Sequence, residues 1–290
     1  MAPTIEATTA TLGAIVTDVD LKSLDERQWR AIEDAFHEYA VLVFPLQHLD
    51  AEEQASFGRR FGRLERGMGY LGEQKATIYP ISNVLPSGEQ VVDPDHALAQ
   101  ILRGNQEWHT DSSYHRVPAK ASILSADVVP QRGGGTEWAD MRAAWDALPD
   151  DLRERIDGLV ASHSYLYSQR KIGRGEEMWT EEDKQSMAGV EHPIVSRHPI
   201  SGRRSLYIGR HAGAIRGMKD DEAEALLEEL LDFACRPPRV FTHEWAVGDV
   251  AVWDNRCLLH RGHAWDLSEP RVMKHTRIAG DGENEWALDE

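Results

Sequence analysis

Apolar residues along this chain fall mostly into short runs broken by Gly, Pro, Asn and Asp, the pattern of strands rather than of long helices. Residues 11–20 alternate loosely and end in acids, as a strand entering a turn does. Ser23 and Glu26 have the spacing of a capping box, and behind them Trp29, Ile32, Phe36 and Tyr39 predict an amphipathic helix to about Tyr39. Val41–Phe44 is a short buried strand, and a second helix starts at Asp50, with Glu53 as its box partner, and runs to about Phe61. From 62 to 104 the pattern dissolves: Gly67, Gly69, Gly72 and Gly88 interrupt it, and only 77–84 reads as strand. A long irregular stretch that leads into candidate chemistry is read as an active-site lid.

Regular structure then resumes. Residues 121–129 suit a central strand, and Gly133, Gly134 and Gly135 permit a tight turn or a close backbone approach to a ligand before 136–140 continue as strand. Short helices are expected at 141–148 and 150–159, a strand carrying His163, Tyr165 and Tyr167, a polar loop at 171–188, and another strand at 204–209. The clearest helix is 220–235, with Ala223, Leu226, Leu227, Leu230, Leu231 and Ala234 on one stripe. Strands at 240–245, 250–253, 257–260 and 273–279 close the chain. Many short strands with a few flanking helices predict a β-rich α+β fold built on two packed sheets. Without a repeat, a low-complexity tract or a linker, residues 1–290 read as one domain.

Composition narrows the class. A 41% hydrophobic and 28% charged chain matches a soluble globular protein, and no apolar run is long enough for a membrane span. The N-terminus lacks the basic start and apolar core of a secretory signal. The two cysteines, Cys235 and Cys257, are no disulfide framework and read as reduced thiols of a cytoplasmic protein. A net charge of −17 argues against nucleic acid, whose phosphates need Lys and Arg. An anionic small-molecule partner must therefore find a local cluster of cations.

The candidate chemistry begins at Trp108-His109-Thr110-Asp111-Ser112. On a strand, His109 and Asp111 share a face and offer an imidazole and a carboxylate to one divalent metal. His260, which shares a face with Leu258, reads as a third ligand. Two His and one carboxylate leave positions open and are diagnostic of non-heme Fe(II) oxygenases. Arg271, eleven residues after His260, opens the last strand, where its fork suits a carboxylate. Two other readings stay open here. A non-catalytic jelly-roll module with a structural metal needs a fourth ligand, for which His263 is the nearest candidate; a zinc hydrolase needs only three but gives Arg271 no role.

These stretches, with Gly134-Gly135-Thr136, Asp140-Met141-Arg142-Ala143-Ala144, Tyr167-Ser168-Gln169, Ile208-Gly209-Arg210-His211-Ala212, Trp253-Asp254-Asn255-Arg256-Cys257-Leu258-Leu259-His260-Arg261 and Pro270-Arg271-Val272-Met273, resemble the taurine/2,4-dichlorophenoxyacetate family of Fe(II)- and 2-oxoglutarate-dependent dioxygenases. The resemblance runs over nearly the whole chain and looks closest to the aryloxyalkanoate type. It implies a double-stranded β-helix (jelly roll) with helices outside, and a homo-oligomer, as relatives often form. It implies that His109, Asp111 and His260 bind Fe(II) and are the catalytic centre, with Arg271 and Thr136 holding the distal carboxylate of 2-oxoglutarate. With O2 such enzymes turn 2-oxoglutarate into succinate and hydroxylate a substrate carbon. On an aryloxyalkanoate the product collapses to a phenol and a 2-oxo acid.

Taurine-specific members carry an Arg four residues after the 2-oxoglutarate Arg, where this chain has His275. That departure argues against taurine. Arg210 and His211, then Tyr167, His275 and Asn83, are the candidates for binding the substrate, while Arg277 reads as structural. The same chemistry on an alkyl sulfate or sulfonate, or on an N-acyl amino acid, is the alternative. Trp108, Trp138, Trp253 and Trp265 flank the motifs as core residues or as walls of an aryl pocket.

Overall fold

The computed structural model describes residues 2–66, 77–173, 181, 184 and 189–282. In chain order β1 (Thr4–Ala7) and β2 (Ala14–Thr17) lead to α1 (Glu26–Tyr39), β3 (Val41–Phe44) and α2 (Ala51–Phe61). Then come β4 (Tyr79–Ser82), α3 (Ala97–Gly104), β5 (Ala119–Val128), β6 (Thr136–Asp140), α4 (Met141–Ala147) and α5 (Asp150–Ile156). The middle of the chain holds β7 (Val160–His163), α6 (Tyr165–Lys171), β8 (Val190–Pro193), β9 (Val195–Arg197), β10 (Arg204–Leu206) and β11 (Ala212–Ile215). It ends with α7 (Asp220–Ala234), β12 (Val240–His243), β13 (Val250–Asp254), β14 (Leu258–Gly262) and β15 (Val272–Ala279).

A seven-stranded sheet runs β1-β2-β3-β13-β5-β15-β4, and a smaller one runs β12-β6-β14. Strand alternation gives each sheet two buried faces. On β3, Leu42 and Phe44 lie under Trp29, Ile32 and Phe36 of α1 and Phe57 of α2, beside Ile123, Val250 and Val252. Val41, Val43, Leu124, Ala251 and Trp253 turn the other way and meet Trp138 and Leu258 of the small sheet. Ala139 and Leu259, on the small sheet's far side, are covered by α4, α5 and α7. Two sheets closed face to face with helices outside form the expected double-stranded β-helix. The core between them supports the metal motifs, because His260 continues the inward row begun by Leu258.

Local departures have local causes. The N-cap of α1 is Asp25, boxed with Gln28, whereas the Ser23 hydroxyl is spent on Asp20. The Asp50/Glu53 box forms as expected. Tyr165 and Tyr167 lie on a helix, not a strand, because Ser164 accepts from the Tyr167 amide and caps α6. Within 62–104 the sequence showed only a strand, yet α3 forms with His96 accepting from the Leu98 amide. Residues 67–76 of the expected lid and most of the expected loop at 171–188 lie outside the described residues.

Candidate active site

His109 does not sit on a regular strand. It makes one antiparallel bridge to His260, with N···O distances of 3.0 and 2.7 Å, and the chain then turns through Ser112 at φ 56°. The bridge sets the two imidazoles side by side, ring centroids 4.2 Å apart, and the turn brings Asp111 back to them. One donor atom from each of His109, Asp111 and His260 falls within 4.8 Å of the others.

Their protonation fits a divalent metal. The Glu107 carbonyl, 2.7 Å from His109 Nδ1, can only accept, so the proton sits on Nδ1 and Nε2 keeps its lone pair. Burial, then the neighbouring His260, holds His109 far below the usual imidazole range, and burial pushes His260 down to about 4. Both rings are neutral at neutral pH. Burial alone would raise the Asp111 carboxyl, but His260, His275 and Arg277 outweigh it and hold it well below the carboxylate range. Two neutral nitrogens and one carboxylate suit Fe(II) and leave it a net positive charge.

No fourth ligand joins them among the described residues. His263, the sequence candidate for that role, instead lies 3.3 Å from the Glu137 carboxylate. A second cluster, His37, His198 and Asp254, has the same make-up, but His198 and Asp254 are engaged elsewhere. His198 Nδ1 accepts from the Ser201 amide and Nε2 faces Asp254, whose two oxygens also take the Arg256 guanidinium.

The three ligand candidates open into a cavity of about 450 Å³ that also takes in Thr136, Arg210, His211, Arg271 and His275. Arg271 is 4% exposed, and no carboxylate lies within ion-pair distance of it among the described residues. Its Nε donates to the Gly134 carbonyl at 3.1 Å, its guanidinium lies over the Trp265 ring, and burial pushes its pKa down to about 10. Gly134, at φ 69°, is the close backbone approach that the triple glycine suggested. The Thr136 hydroxyl accepts from the Trp245 indole at 3.0 Å and keeps its own proton for a guest.

The substrate candidates separate. Arg210 lines the cavity, bonds the Gly104 carbonyl at the end of α3, and has a buried Nε without a partner. His211 lines it too, but Ser168 gives its proton to the Tyr165 carbonyl, so His211 Nδ1 must donate to Ser168 at 2.9 Å. Burial, then Arg210, keeps His211 neutral, so it presents an acceptor at Nε2, not a cation. His275 lines the cavity with Nε2 3.4 Å from Asp111 and its ring stacked on Trp253. Tyr167 is outside the cavity: on α6, Tyr165 and Gln169 face inward one turn apart, while Tyr167 packs on Gly213 and Lys171. Asn83 is outside as well and fully bonded, taking the Arg271 amide at 2.8 Å and donating to the Leu267 and Glu269 carbonyls. It holds the loop that presents Arg271. Arg277 has the structural place expected of it, bonded to Ser112 and paired with Glu65. Of the four tryptophans, Trp253 and Trp265 line the cavity and Trp108 and Trp138 are core.

Sequence reasoning missed one cavity wall. Leu98, Ile101 and Leu102 of α3, with Ile81, Val84 and Leu85 before it, form an apolar surface. Their helical spacing was readable, but the run is short and follows a Pro- and Gly-rich stretch.

A family model described as "Taurine catabolism dioxygenase TauD, TfdA family" matches residues 4–277. The chain is 48% identical over 286 residues to the (S)-phenoxypropionate/alpha-ketoglutarate-dioxygenase of Sphingobium herbicidovorans, covering 96% of each chain. It is 45% identical to the enzyme of the same name from Delftia acidovorans, covering 98% of this chain and 97% of that one. The crystal structure of AAD-2 in complex with Mn(II) and N-oxalylglycine superposes with a TM-score of 0.89 at 36% identity, with all of both chains covered. With its jelly roll, its His/Asp/His cluster and relatives this similar from end to end, the chain belongs to the taurine catabolism dioxygenase TauD, TfdA family and is a 2-oxoglutarate-dependent dioxygenase that uses Fe(II) and O2.

Proposed function

We propose that this enzyme hydroxylates a small aryloxyalkanoate at the carbon bearing the ether oxygen, and that the product falls apart to a phenol and a 2-oxo acid. His109, Asp111 and His260 would hold Fe(II), and Arg271 with Thr136 would hold the distal carboxylate of 2-oxoglutarate. The observation that carries this is Arg271, a buried guanidinium without a carboxylate partner among the described residues, opening into the cavity that holds the three metal-ligand candidates. A buried charge left unpaired is costly, so a dicarboxylate guest supplies what the fold withholds. Fe(II), 2-oxoglutarate and O2 supply the oxidant, and 2-oxoglutarate leaves as succinate and CO2.

The chain's own work is to bind, orient and exclude water. Arg210 is the cation for the substrate carboxylate, since His211 is neutral, His275 is turned to Asp111 and Arg277, which also lines the cavity, is paired with Glu65. Opposite in character, the Leu98, Ile101 and Leu102 face suits an aromatic ring. Residues 62–104 act as the lid in this reading, and further expectations are a cytoplasmic homo-oligomer with small-molecule partners only. The phenoxypropionate names of the two relatives support the substrate class. The test is succinate release with aryloxypropionates, 2,4-dichlorophenoxyacetate, taurine, N-acyl amino acids and alkyl sulfates. Turnover with the aryloxy acids, with the phenol detected, is expected; turnover only with the sulfates, taurine or N-acyl amino acids overturns the substrate reading.

A further inference from the structure

We propose that Ser122 and Asn255 are positioning residues for the metal centre: a one-way chain of hydrogen bonds from the Trp253 indole, through Asn255 and Ser122, fixes the rotation of the Asp111 carboxylate. The inference rests on Asp111 being a ligand to Fe(II).

The direction of every bond follows from the donors. An indole N–H only donates, so the Asn255 atom 3.1 Å from Trp253 Nε1 is the carbonyl Oδ1. That leaves the amide Nδ2 to donate to Ser122 Oγ at 2.9 Å. Ser122 has one proton, and its remaining contact is Asp111 Oδ2 at 2.6 Å, the short distance of a hydroxyl on a carboxylate. Asn255 Oδ1 also takes the Asp111 amide at 3.3 Å, and the Asn255 backbone carbonyl takes the Thr110 hydroxyl at 2.7 Å. Asn255 thus holds the metal motif by backbone and by side chain.

The fold pays for these polar groups deliberately. Ser122, Trp253 and Asn255 are each 1% exposed or less. Ser122 stands on the inward row of β5, in register with Trp253 of β13, where Leu124 and Ala126 are apolar. An unbonded hydroxyl there would be costly, and this one is bonded on both sides. The same Trp253 ring lies against His260, centroids 4.7 Å apart. One indole therefore references two of the three ligands to the central sheet. The same Oδ2 lies 3.4 Å from His275 Nε2 and 3.7 Å from His260 Nε2, so the Ser122 bond fixes the direction in which this oxygen faces the histidines.

The experiment measures Mn(II) affinity of the whole protein without co-substrate, alongside unfolding temperature. Ser122→Ala is expected to weaken Mn(II) binding by about 10–100-fold, the usual effect of removing a partner of a ligand, with the unfolding temperature nearly unchanged. Ser122→Thr keeps the hydroxyl and should restore the affinity. Asn255→Asp is nearly isosteric but cannot donate to Ser122, so it should weaken binding as Ser122→Ala does. Wild-type affinity in both Ser122→Ala and Asn255→Asp overturns the proposal, as does a failure of Ser122→Thr to recover it. His109→Ala separates the two levels. If it abolishes Mn(II) binding while Ser122→Ala keeps wild-type affinity, only the positioning role falls; if His109→Ala too binds normally, the metal site itself is wrong.

Discussion

Arg271 shows how a single side chain can wait for its partner. Asn83 and Gly134 fix its backbone and its Nε, Trp265 covers one face, and the terminal nitrogens are left to the cavity. Arg271→Ala should raise the KM for 2-oxoglutarate by at least about tenfold, since charge-assisted hydrogen bonds contribute roughly 1.5–3 kcal/mol, while Mn(II) affinity stays unchanged. An unchanged KM would remove Arg271 from the co-substrate site. That His109, Asp111, His260 and Arg271 meet in one cavity was legible in the sequence because spacing and chemistry agree, although a turn at Ser112 replaces the regular strand expected there. Ser122 was not legible: a serine in an apolar strand acquires meaning only when the fold brings Asn255 to it. Tyr167 and Asn83 were misplaced for a similar reason, because a cap and a loop anchor turned them from the cavity.

At the scale of the element, α3 separates what the pattern can show from what it cannot. Its apolar stripe is present in the sequence, but the helix has only eight residues, and isolated helices that short are marginal in water. Tertiary contacts hold it. Arg210 bonds its last carbonyl, and a Cβ at Gly104 would come within 2.6 Å of that guanidinium. The stripe then becomes the wall against which an aryl ring would lie. Ile101→Trp should narrow the cavity there and raise the KM for a phenoxypropionate at least about tenfold, as loss of roughly 1.4 kcal/mol does. The KM for 2-oxoglutarate should change little. Equal effects on both would mean that α3 does not discriminate the substrate. The longer helices α1, α2 and α7 were read closely because a helical stripe or a capping box marks them, whereas β1, β8, β9 and β11, of three or four residues each, left no pattern long enough to read.

At the scale of the whole molecule, part of the family motif turns out to hold sheets and helices together. Asp140 caps α4 and pairs with Arg142, which reaches the carbonyls at the end of α1. Asp254 takes Arg256 and His198 in the core, and although burial would raise its carboxyl, Arg256 and then these hydrogen bonds hold it far below the usual range. A carboxyl with a depressed folded pKa gives stability that is complete above the unfolded value, about 3.9, and is lost as pH falls below it. Asp254→Asn should lower stability at neutral pH by about 3–5 kcal/mol and flatten the loss on acidification below about pH 4, read by chemical denaturation across pH. An unchanged acid profile would show that this pair does not set it.

The central claim is that three side chains from two distant stretches hold one Fe(II) in reach of Arg271. Anaerobic addition of 2-oxoglutarate to the Fe(II)-loaded protein should produce a weak visible charge-transfer band. The band should vanish in His260→Ala and shift to higher 2-oxoglutarate concentration in Arg271→Ala. A band of wild-type intensity and concentration dependence in His260→Ala would contradict it.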